Sequence, residues 1–277
     1  MTELDHHARD ATSAPLPENP LEHSKRHDAL IRLLGAEPTA VYILSPGFST
    51  AADGEKSTQT LRSPDSLRNI YGYIGGTLRV HALAALHEYF PDAAIVTCSI
   101  TPQTDTTDYV SHAQIQEREL REIWEKRNVA PPKEILRQEK SYSTITELGE
   151  LVRLIIEKDW EGLIVATTNE YHIKRTEAML ERLPTLIKQV LPDDQTFEQV
   201  WAEFKQKVQD GIVTLRIQDS ESICAAANPK FENVFDHIAH NEPWKTGIED
   251  REIAEEKGYQ ALVDGSYQPQ PLKARTE

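Results

Sequence analysis

His172 and Arg175 stand three residues apart, just beyond an apolar run from Leu163 to Ala166 that is too short for a helix and reads as a strand buried on both faces. In the first turn of the helix that follows, the two side chains share one face. Cations at a helix amino terminus oppose the macrodipole, so something negative must offset them. Lys174 has Glu170 four residues before it, whereas the helical neighbours of Arg175 are Tyr171, His172, Ala178 and Met179, none of them acidic. A bound carboxylate or phosphate resolves the conflict, because helix amino termini present free backbone donors to anions. The same dipole favours neutral His172, which suits a hydrogen-bond donor, a general acid or a general base. The competing reading is that Thr168 or Asn169 caps the helix and His172 packs against a neighbouring loop.

A second polar cluster, Ser141, Ser143 and Thr144, follows the apolar run ending at Ile135 and Leu136. Thr144 to Glu147 fits a capping box, which by itself accounts for Thr144. Ser141 lies between strand and cap, where hydroxyls and free amides suit a phosphate or a sugar rather than a nucleophile. Arg79 is in phase with Leu83, Leu86 and Phe90, on the apolar stripe of its own helix, and Gly75, Gly76, Ala82 and Leu83 offer it no carboxylate. A buried arginine needs an anionic or hydrogen-bonding partner, so Arg79 is either clamped by a distant acid or holds a ligand anion. Asp219 follows a further strand and could hold ribose hydroxyls or a metal, or shape a turn. Cys98 invites pairing with His172, yet a cysteine in a strand is more often a small buried hydrophobe. His23 with His27 and His237 with His240 have helix-ligand spacing but no zinc-type partners nearby, and read as surface residues. No Gly-x-Gly-x-x-Gly or P-loop pattern is present.

These residues need elements that bring them to one edge. Strand signals fall at 40–45, 93–98, 134–139, 162–167 and 212–217, separated by helical patterns such as Ile145, Leu148, Val152 and Ile155. Alternating strands and helices imply right-handed crossovers and a parallel sheet covered on both faces. The expected fold is an α/β, Rossmann-like three-layer sandwich on a mainly parallel five-stranded sheet, with its ligand crevice outside the carboxyl ends of the strands. Residues 1–26 read as a polar tail, 27–265 as one domain with a helical insertion at 181–209 broken at Leu191-Pro192, and 266–277 as a second tail. The stretch 47–76 is far beyond ordinary loop length and suits a lid or a contact surface.

At the strand-end clusters the chain resembles the bacterial domain-of-unknown-function family typified by YdcF, SanA and ElyC. Ser141 and Thr144 match its Ser-x-x-Thr helix start, and Thr168, Tyr171, His172 and Arg175 match its second strand-end motif. Ser-Pro-Gly-Phe from Ser45, Arg79, and the run from Ala93 to Ser99 resemble its amino-terminal half, so the resemblance covers roughly residues 39–220. Together with the residue-level reading it implies a ligand set of Gly47, Arg79, Ser99, Ser141, Ser143, Thr144, Thr168, Asn169, Tyr171, Arg175 and Asp219, with His172 as the candidate acid or base.

Composition narrows the partners. A formal charge of −15 and the lack of a basic arm or stripe disfavour nucleic acid and anionic lipid. No apolar stretch approaches the roughly 18 residues that span a bilayer, and the first residues lack the pattern of a signal peptide. Cys98 and Cys224 form no close-spaced motif, which suits a reducing compartment, so a cytoplasmic setting is expected. The expectation is a protein that binds a small anionic metabolite, nucleotide-like or adenosyl-bearing. The alternatives are a hydrolase or group transferase in which His172 moves a proton, and a noncatalytic partner-binding domain. No cofactor, metal or protein partner is named by the sequence.

Overall fold

The structure, a computed structural model, describes residues 19–45, 48–50, 56–58, 76–100, 110–240 and 242–269. Gly47 lies outside them. Five strands, β1 (Pro38–Ile43), β4 (Ala94–Ile100), β5 (Ile135–Ser141), β6 (Gly162–Thr168) and β7 (Val213–Asp219), form one sheet in the order β5-β4-β1-β6-β7. All four ladders are parallel. The expected α/β, Rossmann-like three-layer sandwich is therefore observed. A separate antiparallel ribbon, β2 (Phe48–Thr50) with β3 (Lys56–Thr58), occupies part of the stretch read as a long loop.

Side chains alternate across the sheet and divide the core in two. Val41, Ile43, Ile95, Leu163 and Val165 face one layer, built from α1 (Pro20–Leu34), α2 (Gly76–Tyr89), α3 (His112–Arg127), α8 (Ser220–Ala227) and α9 (Lys230–His240). Ala40, Tyr42, Val96, Cys98, Ile164 and Ala166 face the other, built from α4 (Thr144–Glu157), α5 (Ile173–Glu181), α6 (Leu183–Val190) and α7 (Phe197–Gln209). Right-handed crossovers dictate this division: the chain steps from β1 to β4 to β5 in one direction, then returns past β1 to β6 and β7, so the helices of the return, α4 to α7, cover the opposite face. The helices read as an insertion at 181–209 are part of that core, with Leu183, Leu186, Ile187, Phe197 and Phe204 buried. A last helix, α10 (Glu242–Asp264), packs on α5 and buries Leu262.

Two helix starts differ from the reading of the sequence. The cap of α4 is Ser143, with Thr146 as its reciprocal partner, rather than Thr144 with Glu147. Thr146 Oγ1 accepts from the backbone of both Tyr142 and Ser143 from a buried position, which frees Glu147 to turn into the core. Helix α1 starts at Pro20, capped by Asn19, inside the segment read as a tail.

Candidate functional site

The strand order reverses at β1, so the crevice expected of such a sheet opens where β1 and β6 end side by side. Arg79, in the first turn of α2, bridges that junction. Its Nη1 donates to the carbonyls of Leu44 at 2.9 Å and Ser45 at 3.1 Å, just past β1. Its Nε donates to Asn169 Oδ1 at 2.6 Å, just past β6. Arg79 is 7% exposed, and no carboxylate lies within ion-pair distance of it among the described residues. Nη2 has no hydrogen-bond partner among them. Among the described residues, the guanidinium is thus held by neutral acceptors alone. Of the two expected alternatives, the clamp by a distant acid is not found among the described residues.

Two acids stand further off, and both resist ionisation. Glu147 on α4 accepts from the backbone N–H of Ser45 at 2.9 Å and lies 3.2 Å from Cys98 Sγ. Burial pushes it up to about 7, against the pull of Cys98, Ser45 and Arg79. Glu221, the second residue of α8, accepts from Asn169 Nδ2 at 2.9 Å and from the backbone of Glu170 at 3.1 Å. Loss of water around this half-buried carboxylate, with Asp219 nearby, pushes it up to about 8. Near neutral pH the positive charge of Arg79 is therefore only partly offset from a distance.

The His172 and Arg175 cluster has a different environment. After the single turn Glu170–His172, α5 begins, and α10 packs against it. Glu255 of α10 meets His172 Nδ1 at 2.8 Å and Arg175 Nε at 2.8 Å. Arg175 therefore has its carboxylate, supplied from 80 residues further along the chain rather than from its own helix. A Cβ built on Gly258 would lie 2.9 Å from Arg175 Cδ, so the glycine lets the arginine stem cross α10. The imidazole is buried, and burial lowers it to about 4, with Glu255 pulling it up and Arg175 and Arg79 pushing it down. The short contact to Glu255 assigns its proton to Nδ1, which the carboxylate accepts. The groove beside this cluster, about 660 Å³, is lined by Tyr171, Lys174 and Arg175 but also by Glu170, Glu249, Glu252, Glu255 and Glu256. Arg79, Ser141, Thr144 and His172 do not line it, and its excess of carboxylates repels an anion.

The remaining sequence candidates are placed as follows. Ser141 is fully buried and donates to Gln138 Oε1 at 2.8 Å, so its hydroxyl faces the core. Ser143 caps α4, and Thr144 is the first residue of that helix. Ser99 accepts from the backbone N–H of His112 at 3.1 Å. Thr168 is buried with its hydroxyl unpartnered, beside Asn169, whose amide joins Arg79 to Glu221. Tyr171 donates to Asn169 Oδ1 at 3.4 Å. Asp219 is the cap of α8, accepting from Ser222 N at 2.5 Å, which is the turn reading rather than the ribose or metal one. Cys98 is buried 2.9 Å from the Tyr42 hydroxyl, and burial raises its thiol well above the usual range, so it is not a pair with His172. His23 lies against Tyr89 and His27 against Phe90, with ring centroids 4.8 and 5.2 Å apart, and no cluster of three or more metal-ligating side chains occurs among the described residues.

Arg79, Asn169, Tyr171 and the backbone after β1 thus come together, with Thr168 beside them, while Arg175 and His172 belong to the docking of α10. Sequence reasoning missed Ser45, Glu147, Glu221 and Glu255. Two carried a signal: Glu147 is four residues from the buried Leu151, and Glu255 is in phase with Gly258, Tyr259 and Leu262. No family model, curated protein or solved structure matches the chain. No helix among the described residues is long and apolar enough to cross a membrane.

Proposed function

We propose that the protein binds a small anionic metabolite at the carboxyl edge of its sheet, with Arg79 taking the charge. One observation carries this reading: among the described residues, the buried guanidinium at the junction of β1 and β6 is held by neutral acceptors, while Glu147 and Glu221, the two acids on which its charge acts, are pushed up to about 7 and 8. A cation kept out of water favours an anion far more strongly than one at the surface, because the interior screens it weakly. The nucleotide-like or adenosyl-bearing character of the ligand rests on the fold alone. The resemblance to the YdcF, SanA and ElyC family supports the same reading through Thr168, Tyr171 and Arg79. The free, buried thiols of Cys98 and Cys224 suit a reducing compartment such as the cytoplasm.

His172 fits a proton-moving role poorly. A group held at about 4 is a weak base near neutrality. We assign it, with Arg175, to fixing α10 beside the crevice.

Calorimetric titration with inorganic phosphate, adenosine monophosphate and S-adenosylmethionine tests the binding reading. At least one probe is expected to bind the parent protein. Arg79→Lys, which keeps the charge but cannot span both strand ends, should weaken it roughly tenfold or more, whereas Arg175→Ala should change it less than about threefold. Equal affinity in the parent and Arg79→Lys, or uptake of none of the three probes, removes the reading.

A further inference from the structure

We propose that Ser45 and His112 are a nucleophile and its base, and that the ligand edge of the sheet hydrolyses a carboxylic ester. The anionic end of that ester rests on the Arg79 reading above, whereas the reactivity of the pair does not.

The two residues come from different crossovers. Ser45 lies two residues past β1, and His112 is the first residue of α3, after β4. The hydroxyl and Nδ1 are 2.7 Å apart, within the reach a general base needs. Both side chains are half-buried, so water is thinned around them while access remains. With Nδ1 accepting from the hydroxyl, the imidazole proton sits on Nε2.

The surroundings hold each partner in place. Ser45 is pinned at both backbone polar groups: its N–H donates to Glu147 Oε1 at 2.9 Å, and its carbonyl accepts from Arg79 Nη1 at 3.1 Å. Only the side-chain torsion is left to it. His112 is anchored through its own N–H, which donates to Ser99 Oγ at 3.1 Å. Among the described residues at this edge, Ser141 is committed to Gln138, Ser143 to the α4 cap, Ser99 to His112, and Cys98 to the buried network of Tyr42 and Glu147, while the Thr168 hydroxyl is fully buried with no imidazole bonded to it.

In the reaction Ser45 Oγ bonds to the carbonyl carbon and its proton passes to His112 Nδ1. The bond to the alcohol oxygen then breaks, and the alcohol leaves with that proton. Water attacks the acyl-serine in the second half, gives a proton to Nδ1, and releases the carboxylic acid as the proton returns to Ser45. No electron changes hands and no co-reactant beyond water is needed.

A neutral alkyl fluorophosphonate, followed by intact-mass spectrometry and peptide mapping, tests the pair in the full-length protein. Attack by Ser45 forms an O–P bond and expels fluoride, so a single adduct is expected at Ser45. Ser45→Ala should abolish it, and His112→Gln should slow it at least about tenfold. Because the probe is uncharged, labelling of the parent protein does not depend on anion binding, so a Ser45 adduct in a protein that takes up none of the three calorimetric probes separates failure of the anion site from failure of this proposal. Ser45→Cys supplies a second readout: iodoacetamide should alkylate its thiol at neutral pH faster than a free cysteine, with the advantage lost on adding His112→Gln. Absence of a Ser45 adduct together with ordinary Ser45→Cys reactivity overturns the proposal, as does labelling at a rate indifferent to His112.

Discussion

Acid should destabilise the protein in part through His172, and the structure fixes how much. Burial holds the imidazole at about 4 against an ordinary 6.5, despite the opposing bond to Glu255. The folded value is the lower one, so between the two the unfolded chain binds the extra proton. The stability owed to neutral His172 is therefore complete above about 6.5 and is lost as the pH falls towards 4. Integrating the linkage relation between pH 7 and pH 5 gives a loss of about 2 kcal/mol from this one group, and a folded value one unit higher reduces it only to about 1.5 kcal/mol. The assay is urea unfolding of the parent and His172→Gln at both pH values, since glutamine leaves Glu255 a donor without a titrating ring. Glu147, Glu221 and His81 also titrate abnormally, but they are present in both proteins and cancel in the difference. The parent should lose about 2 kcal/mol more than the variant. Parallel losses would mean that His172 is not buried neutral, and the argument against its acting as a base would fall with it.

Removing the acid that binds α10 to the crevice should be costly. Glu255→Ala leaves the buried Nδ1–H of His172 without its acceptor and Arg175 without its carboxylate, while Arg175, with 23% of its side chain exposed, regains water. A loss of about 2–3 kcal/mol follows, at or below the lower end for broken buried pairs. Thermal unfolding reads that loss, and hydrogen exchange should quicken in α10 while α3 stays protected; Glu256→Ala, with a half-exposed side chain, should change stability by less than about 0.5 kcal/mol. The cap of α4 separates two adjacent hydroxyls: Ser143→Ala should cost about 1 kcal/mol in denaturant unfolding and Thr144→Ala markedly less, and the reverse order would restore the box read from Thr144.

The central strands β1, β4 and β6 were legible because each is a short apolar run between turn residues and helices, the edge strands β5 and β7 only from the apolar residues at their starts, and the parallel order followed from handedness. The site was legible only where chemistry lies along the chain. Asking whether Arg175 had an acidic neighbour at helical spacing was sound physics over too short a range, since Glu255 arrives on a helix that the crossover rules do not place. The same question asked of Arg79 found no local acid; of its partners, Asn169 was among the sequence candidates, whereas the carbonyls of Leu44 and Ser45 are groups that every residue possesses and no sequence distinguishes. The capping box failed by one residue for a related reason. Ser143, Thr144 and Thr146 offer three hydroxyls within one turn, and the buried place of Thr146 selects among them.

That choice has a consequence for the site. With the cap shifted to Ser143, Glu147 is released from the helix start and reaches the backbone of Ser45, next to the carbonyl that Arg79 holds. Burial keeps its proton on up to about 7, so its charge is weak where a full carboxylate would have neutralised Arg79. A one-residue change in where a helix is capped thus decides whether the guanidinium at the junction of β1 and β6 is spent on the protein or left for a ligand.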